Sequence, residues 1–153
     1  MPPPIPRIEE MNPTKSERNT PSQRLNFAVF GANPSIGVEP RFFIEQELQL
    51  DGLTELIVTK DMTERKTKMI ELGDAFIAFP GGTGTLEEIS EIMSKVSLKQ
   101  LAAPCILYNL NGYYDHLKAL LAHMIDMGLS TPERQEGIYF AEMLDDIRAI
   151  LKI

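Results

Sequence analysis

A chain of 153 residues with 43% hydrophobic and 24% charged side chains has the size and composition of one globular domain. Its net charge of −7 argues against a general nucleic-acid-binding surface, although one loop and one arginine suffice to hold a small anion. No apolar run approaches the roughly 18 residues of a membrane span and no apolar leader precedes the first strand, so a cytoplasmic location without a membrane partner is expected.

Residues 1–25 are rich in Pro, Ser, Thr, Asn and charge, and are expected to form a disordered tail because they bury too little apolar surface to offset ordering. The remainder, 26–153, reads as a single domain. Phe27 to Phe30 is a short buried strand, ended by Gly31-Ala32-Asn33-Pro34. Ile36 to Phe43 follows at once. A parallel crossover needs a dozen or more residues, and the Ser35–Ile36 junction offers none. Phe42 to Leu48 is a short helix or turn that carries Glu47, and Leu53 to Thr59 is a strand.

Asp61 then caps a helix, with Glu64 completing a capping box. Met62, Met69 and Leu72 form its core stripe, and Arg65 lies inside that stripe, within about 80° of arc. A charge there needs a partner or a cavity; the plain alternatives are an arginine that snorkels to solvent or pairs with a glutamate. Lys66 sits at the stripe's edge.

Ala75 to Phe79 is apolar without alternation, the pattern of a strand buried on both faces. Pro80-Gly81-Gly82-Thr83-Gly84-Thr85 follows, and then a helix to about Ser97 with Leu86, Ile89, Met93 and Val96 on one stripe. The glycines thus occupy a strand-to-helix turn, where backbone N–H groups and the positive helix end hold an anion that a Cβ would keep away. Pro104 to Asn109 is another buried strand, and Cys105 within it reads as a core thiol. Asn111-Gly112 makes a turn. Tyr113 to Gly128 is a helix with Leu117, Leu120, Leu121, Met124 and Ile125 apolar and Gly128 at its C-terminus. Ser130 to Glu136 reads as a polar loop, Gly137 to Phe140 as a last strand and Glu142 to Leu151 as a closing helix.

Strand and helix alternate. The expected fold is α/β: a Rossmann-like, doubly wound parallel sheet with helices on both faces, shortened in its N-terminal half. Ligands bind such sheets at the carboxyl ends of the strands, so Gly81 to Thr85 and the end of the first strand are expected on one edge.

Pro80-Gly-Gly-x-Gly-Thr-x-x-Glu88, preceded by Met62-Thr63-Glu64-Arg65-Lys66 and followed by the stretch from Asn109 to Asp115, resembles the LOG (Lonely Guy) family from about Asn26 onward. The resemblance implies a cytokinin riboside 5′-monophosphate phosphoribohydrolase, a family long mislabelled as lysine decarboxylases. It also implies a few dozen residues and a second glycine-rich loop between Ser35 and Ile36 that this chain lacks. Either the sheet is rearranged or the chain is a shortened or defective variant.

On this resemblance the substrate is a nucleoside 5′-monophosphate, with its phosphate on the amides of Gly81, Gly82, Thr83 and Gly84 and on the Thr85 hydroxyl. Arg65 and Glu88 are the catalytic candidates; Glu47, Lys66 and Ser94 are candidate substrate contacts. The plain reading of Glu88 is a capping box with Thr85, and of Glu47 and Ser94, solvated side chains. No cofactor is implied. Pyridoxal chemistry would need a lysine set in a dedicated pocket, and no motif places one. His116 and His123 are seven residues apart, too far for a chelating pair, so no metal is expected. A homodimer or larger assembly follows from the resemblance alone. The competing readings are a phosphate-binding protein without catalysis and an interaction module that keeps only the sheet.

Overall fold

The computed structural model describes residues 27–29, 36–45 and 55–153; the expected tail and Glu47 lie outside them. In chain order the elements are β1 (Phe27–Val29), β2 (Ile36–Pro40), α1 (Arg41–Glu45), β3 (Glu55–Thr59), α2 (Met62–Leu72), β4 (Phe76–Ala78) and α3 (Thr83–Ser97). Then come β5 (Cys105–Tyr108), a 3-10 turn (Leu110–Gly112), α4 (Asp115–Asp126), α5 (Pro132–Gln135), β6 (Ile138–Ala141) and α6 (Leu144–Leu151). The expected α/β architecture is present, with parallel strands between helices.

β4, β5 and β6 form a parallel sheet, and β1 lies antiparallel along the other side of β4. β2 and β3 form a separate parallel pair. Six residues, 30–35, separate β1 from β2, too few for β2 to cross over and lie parallel beside β1. The sheet is accordingly rearranged: β2 pairs with β3, and β1 needs no crossover in its antiparallel place. One expectation changes with it. Phe27 pairs with Ala78, so the start of β1, not its end, lies beside the carboxyl end of β4.

Successive residues of β4 and β5 face opposite layers, and each layer has its own helices. Phe76, Ala78, Cys105 and Leu107 pack with Ile89, Ile92, Met93 and Val96 of α3, joined by Val38, Met69 and Tyr114. Ile77, Ile106, Tyr108 and Ala141 pack with Ile147 of α6 on the other face. Burying each such aliphatic side chain contributes about 1.5–3 kcal/mol, which is why uninterrupted apolar strands occupy the middle of the sheet. Cys105 is fully buried, and desolvation pushes its thiol up to about 12.

Three stripe residues face solvent instead of the core: Leu86, Leu72 and Leu120, each more than two-fifths exposed. At 100° per residue Ile89, Ile92, Met93 and Val96 already fill a 100° arc of α3, and Leu86 falls just outside it. Leu72 ends α2, beyond the buried turn that carries Arg65 and Met69. Leu120 belongs to a helix with no buried residue, whose inner side is only half covered. The expected loop 130–136 contains α5, capped by Thr131 with Pro132 at its first turn, a signal the sequence carries openly. α4 ends as expected at Gly128, which has φ +72. There Gly128 N–H donates to Ile125 O and Leu129 N–H to Met124 O, the paired bonds of a Schellman turn.

Among the described residues no helix is long and apolar enough to cross a membrane.

Candidate functional site

The glycine bend leaves the carboxyl end of β4, where an α/β sheet offers its ligand crevice. Gly82 is the N-cap of α3 and carries no side-chain cap, so the first-turn N–H groups of α3 receive no bond from the cap residue. Gly82, Thr83 and Gly84 are exposed, and Thr85 is buried at 7% exposure. A Cβ built on Gly82 or Gly84 meets nothing within 4 Å, and Gly82 has an ordinary extended φ of −85°. Packing therefore does not require glycine at either position. Something that approaches from outside the chain would.

α3 begins at Thr83, three residues earlier than a Thr85 cap requires, so Glu88 is not a capping residue. Its carboxylate Oε1 instead accepts from Nη1 of Arg65, across from α2. Both partners are shielded, with side chains 4% (Arg65) and 11% (Glu88) exposed. Arg65 is fixed a second time: its Nε donates to the Val38 carbonyl of β2 at 2.9 Å. The buried charge on α2 thus has the glutamate partner that one plain reading anticipated, and the pair ties the β2–β3 unit to the helix that opens at the glycine bend.

Asp61 starts α2, its carboxylate accepting from Glu64 N–H at 2.8 Å. Glu64 bonds back to Lys60 N–H, one residue before the cap residue that a standard box would use.

Of the other sequence-derived positions, Lys66 lies beside the pair and Ser94 lies away from it. Lys66 holds Glu87 at 2.5 Å and Glu91 at 3.1 Å, and the hydrogen bonds it donates to Glu87 and then Glu91 raise its pKa above the ordinary lysine value. Its ammonium is therefore engaged in a charge ladder on the outer faces of α2 and α3. Ser94 is exposed, six residues beyond Glu88, and so about 9 Å further along α3 and about 120° around it. It is not brought to the Arg65–Glu88 pair. Beside that pair an open depression is lined by Lys66, Met69, Ile70, Glu88, Glu91 and Ile92. His116 and His123 are both exposed.

A second group reaches the bend from the residues just before α4. Tyr114 OH donates to Phe79 O at 2.7 Å, and Tyr113 OH donates to Gly81 O. Asn109, buried at 3% exposure, accepts from Tyr114 N–H at 2.6 Å and donates to Asp115 Oδ1 at 2.8 Å. The sequence flagged the stretch from Asn109 to Asp115 only as a turn and part of a motif. Two adjacent tyrosines after an Asn-Gly turn were the available signal.

A family model described as "Possible lysine decarboxylase" matches residues 23–151. A cytokinin riboside 5′-monophosphate phosphoribohydrolase of Rhodococcoides fascians is 38% identical over 128 residues, which cover 83% of this chain and 65% of that protein. A protein of the same name from Arabidopsis thaliana is 36% identical over 65% of this chain and 44% of its own length. A probable one from Oryza sativa subsp. japonica is 39% identical over 64% and 43%. The chain thus spans between 43% and 65% of the length of these relatives.

Proposed function

This chain belongs to the LOG family, the one whose model is described as possible lysine decarboxylase, and we propose that it hydrolyses the N-glycosidic bond of nucleoside 5′-monophosphates. Water adds across the bond: its hydroxyl goes to C1′ to give ribose 5-phosphate, and its proton goes to the nitrogen of the departing base. The buried pair of Arg65 on α2 and Glu88 on α3, the helix that opens at an uncapped glycine bend, carries this reading. The relatives' printed names extend it to cytokinin riboside monophosphates as substrates.

The roles follow from the chemistry. Bond cleavage passes through an oxocarbenium-like sugar, which a nearby carboxylate stabilises. Glu88 supplies that carboxylate, and Arg65 holds it in one orientation with a planar guanidinium. The 5′-phosphate rests on the amides of Gly82, Thr83 and Gly84, where negative charge meets the helix dipole. Glu88 lies five residues beyond Thr83, so one to one and a half helical turns, about 8 Å, separate the phosphate subsite from the carboxylate along α3. That is the scale of a ribose 5-phosphate. The expected homodimer and the cytoplasmic location belong to this same reading.

Incubation with AMP and isopentenyladenosine monophosphate tests it. Free adenine or isopentenyladenine should appear together with ribose 5-phosphate, and Glu88→Gln should abolish release. Full turnover in Glu88→Gln would reject the carboxylate's role. Nucleotide binding without base release would instead identify a phosphate-binding protein, and neither binding nor release an interaction module.

A further inference from the structure

We propose that Tyr113 is a positioning residue: its hydroxyl, held on the Gly81 carbonyl, aims the Gly82 N–H at the bound phosphate. The inference rests on the phosphate reading of the bend. A trans peptide is planar, with its C=O and N–H pointing in opposite directions. The Gly81 carbonyl and the Gly82 N–H belong to one such plane, so pinning the first on Tyr113 holds the second pointing away from that hydroxyl. The plane joins two glycines and no Cβ resists its rotation, which makes it the peptide of the bend most free to flip. Flipped, it would present a carbonyl oxygen to the anion.

The hydroxyl is itself held in place. Asn111 at φ +52 and Gly112 at φ +73 make two consecutive left-handed steps that carry the tyrosines to the bend. At φ +73 a side chain on Gly112 would be strained, and its Cβ would also displace Asp115 Oδ2, 2.5 Å away, so glycine is favoured here by the backbone, unlike at Gly82 and Gly84. Asn109 ties Asp115 to the Tyr114 amide. The rings of Tyr113 and Tyr114 meet edge to face with centroids 4.9 Å apart, and the Tyr114 hydroxyl anchors Phe79 O at the strand end. Phe79 O lies in the peptide of Pro80, which has no N–H to aim. Of the two tyrosines, only Tyr113 therefore sets a donor.

Tyr113 is 37% exposed, so Tyr113→Phe keeps the ring and the fold while removing the hydroxyl. Amide spectra of the full chain titrated with inorganic phosphate and with AMP test the assignment. In the wild type the Gly82 N–H should shift on phosphate addition. Tyr113→Phe should bind both probes about tenfold more weakly, the effect of losing one amide bond to a charged group, with an unchanged melting temperature. Tyr114→Phe, at a residue only 6% exposed, should lower the melting temperature instead. Equal affinity in wild type and Tyr113→Phe would overturn the positioning role and leave the phosphate reading standing. No phosphate-dependent shift of Gly82 in the wild type would remove both.

Discussion

The Arg65–Glu88 pair is a stability device as well as a candidate catalytic one, and a double-mutant cycle separates it from a surface ion pair. Exposed pairs contribute about 0–1 kcal/mol, but both partners here are nearly buried, so removing one strands the other's charge. Arg65→Met strips the donor from Glu88 and also from the Val38 carbonyl, and should cost about 3–5 kcal/mol. Glu88→Gln retains an acceptor oxygen but leaves the guanidinium without a counter-charge, so about 2 kcal/mol is expected. For a chain of this length that is a fall of about 4–8 °C in Tm. The double variant leaves a neutral Met–Gln pair and should cost less than the sum of the singles by about 2 kcal/mol. Urea unfolding followed by circular dichroism measures all four corners. Additivity within about 0.5 kcal/mol would refute the claim that the two charges depend on each other. An unchanged Tm in Glu88→Gln would show that the guanidinium does not need the counter-charge.

Glycine substitutions should divide by position. Gly82→Ala and Gly84→Ala place a methyl in open space, so Tm should hold or rise slightly while phosphate binding falls. Gly112→Ala, at φ +73 and against Asp115, should lower stability by more than about 1 kcal/mol. The alkaline limb reports on Cys105. Its thiol ionises near 9.0 when free and at about 12 when folded, so the unfolded chain loses that proton first as pH rises. Stability should therefore be intact below pH 9 and fall above it toward pH 12 by about 1.4 kcal/mol per pH unit from this group, a slope that Cys105→Ala removes. The buried phenol of Tyr114, raised chiefly by desolvation and then by Tyr113, steepens the same limb. A thiol reagent at pH 8 should label Cys105 only on unfolding.

Local chemistry by itself determined the strands at 76–78 and 105–108, the Asp61 cap, the glycine bend and the left-handed end of α4. Each follows from a run of apolar residues or from a capping or turn residue acting on its immediate neighbours. The sequence also showed that Arg65 lay on a buried face, since periodicity places a side chain on a stripe. Periodicity is silent about what stands opposite, so only the tertiary structure decided that the partner is Glu88, and that the Thr85 capping box does not form. The same limit hid the Tyr113 and Tyr114 contacts, which span more than thirty residues. Strand direction was beyond it too: β1 runs antiparallel to β4, and β2 leaves to pair with β3, because pairing depends on the length of connections and on free edges, not on the strands' own residues.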